Sequence, residues 1–543
     1  MSRRKQNDPT RREVLRPWDR TCGLLCAGTV VQSLAAVAVA LVSRQLLNSA
    51  VAGGAVLRYG AVLAVLAAAL PLLGGALSHI SGAAEDASCA LLRQKTVELL
   101  RTKDLERLKS YHSGLLFSRV TADAGILCQW KTSVLPSIVS QIVRLAAAAA
   151  ALLYIAPTLA AWGVMCAAVV AAGSLGYRRI LQPRHRAARE AQEELTVSLQ
   201  EELSHGEFIR AVGAQRRMDE RLDRRQTLWK ERRAALRRVT VLGSAAFSGL
   251  TQLVYAAVLI WGGLTIRTGT QTIGDLMALL QLAAMFQGPV SGLGGLQSRL
   301  AERAAARERL EELWELPEEK EGQPLPQNAQ VRAIVFDDVT FRYEGEETPV
   351  LEHFCLRLPT DRWLCLKGIS GSGKSTLYRL ILGLYRPQSG RVYLETDRGD
   401  YDCCAATRSF FGFVPQASVL LAGTVRENLH LIRPEASDDV LCDVLRQAQC
   451  GFLLEQGRGL DTRLSEDGGL SAGQRQRLSV AMALLSGGQM LLLDEITSAL
   501  DSTTERLLMQ ALRASHPAAL FATHHTALPA QLRAEIIDLD RTA

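Results

Sequence analysis

The stretch Gly368-Ile369-Ser370-Gly371-Ser372-Gly373-Lys374-Ser375 sets glycines, a lysine and hydroxyls at a spacing suited to holding a phosphate chain. Glycines let backbone N–H groups converge on phosphate oxygens at a helix N-terminus. Lys374 supplies a cation to the β- and γ-phosphates, and the Ser375 hydroxyl can ligate Mg²⁺. The local pattern reads as a strand over 363–367, a loop over 368–373 and a helix over 375–384, which is the context such a loop needs. Thr376 follows directly and extends the nucleotide-binding set to Gly368, Ser370, Gly371, Ser372, Gly373, Lys374, Ser375 and Thr376.

Downstream, Met490-Leu-Leu-Leu-Asp494-Glu495 is an apolar strand ending in two adjacent carboxylates. Asp494 is placed to hold Mg²⁺ directly or through water. Glu495 is placed to accept a proton from, or to orient, an attacking water in phosphoryl transfer. A strand ending in solvated acids is common by itself; a strand ending in acids beside a phosphate loop is a hydrolytic site.

These residues lie in one half of a divided chain. At 543 residues the protein exceeds what one core usually supports, so more than one domain is expected. Up to about residue 287 the sequence is built of long Ala/Leu/Val runs, and after 311 it reads as a soluble α/β sequence. Apolar segments of near-membrane length fall at 22–42, 59–80, 136–155, 159–175, 241–266 and 273–290, giving six expected spans. The third and fourth are joined by a short turn at Pro157, and the fifth and sixth by a short turn containing Arg267. Residues 81–133 and 176–239 are long, charged and helical in pattern.

Lys plus Arg number 62 against 55 Asp plus Glu, a net charge of +7. Basic residues crowd the N-terminus (Arg3, Arg4, Lys5, Arg11, Arg12, Arg16, Arg20) and the two long polar segments, so the bias places these and the C-terminal half in the cytoplasm. A nucleic-acid surface explains that distribution less well. The apolar run after the basic N-terminus is roughly 20 residues, long enough to span a bilayer rather than serve as a signal-peptide core. The eleven cysteines show no zinc-site spacing and read as free thiols of a reducing compartment.

Between the phosphate loop and the acid pair lies Leu470-Ser471-Ala472-Gly473-Gln474, which resembles the LSGGQ signature of the ATP-binding cassette (ABC) family. The resemblance covers nearly the whole chain, because a six-span half followed by one cassette looks like a half-transporter of the ABC exporter fold. It implies a multidomain protein: an all-α transmembrane six-helix domain followed by an α/β P-loop NTPase domain. The boundaries are a basic N-terminus over 1–20, a transmembrane domain over 21–315, a linker over 316–330 and a cassette over 331–543.

The same resemblance assigns roles position by position. Tyr343 matches the aromatic that stacks on adenine, and Gln416 the loop glutamine that senses Mg²⁺ and the γ-phosphate. Asp501 matches the dimer-contacting aspartate, and His524, favoured over His525, the switch histidine. Ser471, Gly473 and Gln474 belong to the signature that caps ATP held by an opposite subunit, and Ala472 replaces a glycine that permits the tightest approach. The implied cofactors are ATP and Mg²⁺. The implied partners are a second half-transporter subunit, identical or different, membrane lipid and a transported substrate, with no nucleic acid.

ATP-driven transport across the cell membrane, in the export direction with import as the alternative, is the implied activity. Residues 112–123 and 201–213 resemble the two coupling segments of exporters. Arg144 stands within the third span, where its charge must face protein or water, in either a substrate-pathway or a structural role.

Overall fold

The computed structural model describes residues 19–539 except 327, 370, 456–458, 465–468, 498, 524 and 526; within helices, the side chains of 162–172, 174–175, 178, 287–295 and 297 are likewise outside the description. Two compact units emerge: residues 1–96 with 117–311, and residues 97–116 with 312–543.

The first unit is helical. Its long elements are α1 (Arg20–Val51), α2 (Val56–Arg101), α3 (Leu135–Ile155), α4 (Pro157–Ser204), α5 (Gln215–Arg267) and α6 (Ile273–Glu315), and each expected span lies along one of them. Asp19 starts α1 by accepting the Cys22 N–H at 2.8 Å, which satisfies one of the donors left open at a helix start. α6 stops two residues short of Pro317, a residue that has no N–H to continue the ladder.

Among the described residues, four helical stretches are long and apolar enough to cross a membrane: Arg20–Val51, Val56–Arg101, Ser113–Ile155 and Gln215–Arg267. Ile273–Phe286 is a shorter apolar helix. The expected fourth span runs along α4, with most of its side chains outside the described residues. Side chains such as Leu57, Leu72 and Leu253 face outward uncovered, as a lipid-facing surface requires.

α1 and α3 run parallel in close register. Ser33 Oγ lies 2.9 Å from Ser140 Oγ, and Thr29 Oγ1 donates to the Pro136 carbonyl at 3.4 Å, polar bonds of the kind that join helices in an apolar medium. Toward the other end of these helices a dry cluster forms from Val37, Ala40, Ala148, Ala151, Ile155, Val258, Ala278, Leu279 and Leu282. Beyond it Arg44 pairs with buried Asp275, which also accepts from the Thr272 N–H at 2.8 Å and the Thr272 hydroxyl at 2.7 Å. A β-carbon on Gly274 would lie 2.3 Å from the Arg44 carbonyl, so only glycine allows α6 to approach α1 there.

The second unit holds two main sheets. An antiparallel one has the order β2-β1-β4-β5, with β1 Val331–Phe341, β2 Leu351–Pro359, β4 Ser389–Thr396 and β5 Gly399–Asp402. A parallel one has the order β11-β3-β10-β9-β6, with β3 Trp363–Lys367, β6 Phe411–Val414, β9 Met490–Leu493, β10 Ala518–Ala522 and β11 Glu535–Asp538, while the short strands β7 (Gly423–Thr424) and β8 (Arg463–Leu464) pair with each other. Every residue of β9 and β10 is buried, as a parallel sheet covered on both faces demands.

One boundary differs from the sequence expectation. Residues 97–116, part of the first long loop, fold with the cassette rather than with the membrane helices. The Asp104 N–H donates to the Pro317 carbonyl and the Glu319 N–H to the Thr102 carbonyl, both at 2.9 Å, so the loop tip and the linker form a two-rung clasp around buried Lys103. Arg107 pairs with Glu344, and the Lys109 ammonium lies 5.6 Å from the Tyr385 ring centroid. Hydropathy places this segment between two spans, but its partners lie more than 200 residues away in sequence and no local pattern reveals them. The first coupling segment, 112–123, is divided between the two units. The second, 201–213, carries the short helix Gly206–Ala211 with Phe208 67% exposed.

Candidate nucleotide site

The parallel sheet brings the chemistry together at one edge. β10 lies between β3 and β9, so the phosphate loop leaving β3 and the acids ending β9 emerge one strand apart at the carboxyl ends of the strands, where open α/β sheets bind ligands. The strand before the loop is Trp363–Lys367, and the helix after it, α7, spans Lys374–Ile381. Gly371 and Gly373 hold φ of +91° and +86°, a backbone geometry that side-chain-bearing residues rarely adopt. Buried Lys374 folds back on its own loop, donating to the Gly368 carbonyl at 2.8 Å and reaching the Ile369 carbonyl at 3.5 Å.

Facing the loop, Asp494 is buried, and burial pushes its carboxyl above the usual range, with the adjacent Glu495 adding to the rise and the Ser375 hydroxyl bond opposing it. One Asp494 carboxylate oxygen, Oδ1, is buried without a hydrogen-bond partner. Glu495 takes a left-handed backbone, φ +50°, which is costly for a residue with a β-carbon and recurs at functional sites. That turn aims its carboxylate between two groups: Gln416 Nε2 donates to Oε2 at 2.8 Å, and Lys374 Nζ is 3.7 Å from Oε1.

A hard cation such as Mg²⁺ needs oxygen ligands and is usually held by one or two carboxylates together with substrate phosphates. The open Asp494 oxygen, the Ser375 hydroxyl and the Gln416 side chain form a donor set of that chemistry.

Tyr343 follows β1 and is half-buried. Its hydroxyl bonds Thr376 Oγ1 at 2.8 Å and receives Arg379 Nη1 at 2.7 Å. Arg379 sits within 6.0 Å of both the Tyr343 and Tyr385 ring centroids. Thr376, expected to face nucleotide, is thus engaged in positioning the tyrosine. Arg379 escapes motif reading; its only signal is helical spacing, three residues beyond Thr376 on the same face.

The signature begins helix α8 (Ala472–Leu485). Ser471 caps it, with Gln474 N–H donating to Ser471 Oγ at 3.2 Å and Ser471 N–H to Gln474 Oε1 at 2.9 Å. Gly473 is buried, and a β-carbon there would stand 2.7 Å from the Ala499 carbonyl, whereas Ala472 is exposed. Gln476, one turn further along, donates to the Glu495 carbonyl at 3.2 Å and ties the signature helix to the acid pair. Asp501 caps helix α9 (Ser502–Ser515), accepting from the Thr503 and Thr504 N–H groups and at 2.7 Å from the Thr504 hydroxyl, and these bonds hold its carboxyl below the usual range.

Ser370 and His524 lie outside the described residues. His525 is turned to buried Glu505, with Nε2 3.7 Å from Oε2. Gly368, Ser372 and Gly371 complete the loop where the motif places them.

A phosphate loop opposite a paired acid on a parallel sheet, carried on a chain with membrane-long apolar helices, defines a membrane protein with a nucleotide-hydrolysing domain. Residues 22–290 match the ABC transporter transmembrane region and residues 351–498 the ABC transporter domain, so the chain belongs to the ABC transporter family and its second unit is an ATP-binding cassette. It is similar to the mouse protein ATP-binding cassette sub-family B member 10, mitochondrial, at 31% identity over 414 residues, 74% of this chain and 57% of that one. It is also similar to the Mycobacterium bovis fatty acid ABC transporter ATP-binding/permease protein, at 30% identity over 431 residues, 77% of this chain and 68% of that one. These alignments thus cover between just over half and about two thirds of the relatives' lengths. The structure of a bacterial Atm1-family ABC exporter with ATP bound shares the fold, with a TM-score of 0.76 and 20% identity over 95% of this chain and 93% of that one.

Proposed function

We propose that this chain is one subunit of a two-subunit, ATP-driven exporter of the cell membrane, with its cassette and N-terminus in the cytoplasm. The observation that carries the reading is the convergence of Lys374, Ser375, Asp494, Glu495 and Gln416 at one sheet edge, in a chain whose other half is membrane-spanning. Lys374, now bonded to loop carbonyls, exchanges them for phosphate oxygens when ATP enters the loop. Tyr343, held by Thr376 and Arg379, offers its ring to adenine. Ser375, Asp494 and Gln416 would hold Mg²⁺, which when bound would supply charge neutralisation to the phosphates. Glu495 orients water and takes its proton, and Gln416 and Lys374 hold its carboxylate in place until then.

Ser471 and Gly473, at the start of α8, serve the ATP of a second subunit, the role the family resemblance gives the signature, with the helix N-terminus turned to its γ-phosphate. The exposed Phe208 fits the same arrangement, since a second coupling segment needs a cassette to rest on. His524 completes the set as the γ-phosphate switch.

Inside-out vesicles containing the purified protein provide the test. ATP added outside should drive accumulation of substrate inside together with ATP turnover, and net loss of preloaded substrate instead would establish import. A protein extracted without detergent, or one that binds ATP and never turns it over, overturns the reading.

A further inference from the structure

A tyrosine hydroxyl shut away from water must find its acceptor inside the protein, and the acceptor it takes shows what it holds. Tyr378 is completely buried, in the apolar cluster that contains Leu366, Leu492 and Leu520. It stands on α7 four residues after Lys374, about one helical turn further on. Its ring centroid lies 6.3 Å from that of Phe413 on β6. Its hydroxyl donates to the Leu493 carbonyl at 3.1 Å and also reaches the Leu520 carbonyl at 3.4 Å. Burial first, then the neighbouring Asp494, Cys365 and Glu495, pushes the phenol well above its usual range, so it stays a donor at every working pH.

The carbonyl it takes on β9 is the one that precedes the acid pair. Leu493 C=O and Asp494 N–H are the two ends of a single peptide unit, and the Asp494 N–H donates to the Val414 carbonyl at 3.0 Å. A peptide unit is planar and stiff, so bonds at both ends fix its plane and the direction in which the chain leaves the strand. The peptide unit after Glu495 is pinned as well, since Gln476 Nε2 donates to the Glu495 carbonyl at 3.2 Å. Glu495 lies between these two fixed units with φ at +50°, a backbone state that costs energy and persists only while its surroundings impose it. Of the three pins, from Tyr378, Val414 and Gln476, Tyr378 is the one carried by the phosphate-loop helix.

We propose that Tyr378 is a positioning residue for ATP hydrolysis: from the helix behind the phosphate loop it locks the peptide unit ahead of the acid pair and so sets where Glu495 stands relative to the phosphate chain. Without the hydroxyl that peptide plane can rock, and the strained residue next to it gives first. A small displacement of the group that orients water is costly to the reaction, while the loop that binds the nucleotide is untouched. The inference rests on the role given to Glu495 above.

Tyr378→Phe removes one oxygen and keeps the ring against Phe413. In the full-length protein purified in detergent, kcat for ATP should fall about tenfold while KM stays within about twofold. A double-mutant cycle then identifies the residue through which Tyr378 works. Added to Glu495→Gln, the same change should alter the single-turnover rate by less than about twofold, because the group it positions is already gone. Meta-fluorotyrosine inserted at position 378 by nonsense suppression keeps the hydroxyl, and its fluorine resonance should shift when Mg²⁺ and ATP are added.

Unchanged kcat in Y378F overturns the inference, and so does a raised KM at unchanged kcat. An equal fold loss in both backgrounds overturns it too, because that result reports a general loosening of the fold. Should Y378F fail to fold, the fluorine resonance decides, and one that does not respond to nucleotide refutes the proposal. Near-normal turnover in Glu495→Gln alone defeats the role given to Glu495 instead, and the resonance still reports whether Tyr378 is coupled to the site.

Discussion

Gln416 Nε2 donates to Glu495 Oε2 at 2.8 Å, joining the ends of two neighbouring strands, β6 and β9, through their side chains. Glu495 holds a left-handed backbone to meet it. The carboxylate is thereby positioned before any nucleotide arrives.

Replacing that carboxylate should remove the base and keep the frame. Glu495→Gln is expected to slow ATP turnover by about 100-fold or more while nucleotide binding persists. Steady-state phosphate release and equilibrium binding of a fluorescent ATP analogue, measured on the same preparation, check both halves. Near-normal turnover by the purified dimer refutes the assignment.

Asp494 gives a pH prediction of definite sign. Burial raises its native carboxyl above the usual aspartate range, so the folded state holds its proton more tightly than the unfolded chain does. The associated stability is full below the unfolded value and is lost as pH rises through the native one. Asp494→Asn, which cannot ionise, should therefore melt higher than the unaltered protein at neutral pH without nucleotide, and approach it below about pH 3. The same variant should lose Mg²⁺-dependent ATP turnover. Differential scanning calorimetry across pH reads the first effect, and a lower midpoint at pH 7 contradicts it.

Two neighbouring signature positions should behave oppositely. A β-carbon at Gly473 meets the Ala499 carbonyl at 2.7 Å, so Gly473→Ala is expected to cost about 1–3 kcal/mol by forcing α8 away from the turn beneath it. Ala472 is exposed, and Ala472→Gly should stay within about 1 kcal/mol. Urea titration of both variants, followed by tryptophan fluorescence, compares them directly.

The Arg44–Asp275 pair should be sensitive to loss of one partner and tolerant of loss of both. Asp275→Asn leaves a partly buried cation and an unbalanced Thr272 pair, with an expected cost of about 3–5 kcal/mol. Arg44→Met combined with Asp275→Leu should recover much of it. A double-mutant cycle on thermal midpoints in detergent measures the coupling, and additive effects exclude it.

Much of the cassette is legible in the sequence because its motifs are short and its strands local. The strands 363–367 and 490–493 are apolar runs between loops, and the phosphate loop follows from glycine and lysine spacing alone. Arg379 and Gln476 are not legible in that way. Each acts through a tertiary neighbour, the Tyr343 hydroxyl and the Glu495 carbonyl, and a common helix-surface residue type gives no sign of such a neighbour. Ala472 and Gly473 show the same limit within a motif: adjacent small residues read alike, and only packing distinguishes the buried one from the exposed one. Arg44 and Asp275 lie 231 positions apart and are invisible to any window-based pattern.

The clasp between residues 102–104 and 317–319 has a practical reach. A soluble fragment begun at the interdomain linker omits the strip of chain, 97–116, that carries buried Lys103, pairs with Glu344 through Arg107 and sets Lys109 over Tyr385. Such a fragment presents a raw face where the intact molecule has a finished one, and its self-association or feeble turnover in solution reports the missing strip rather than the enzyme's own character.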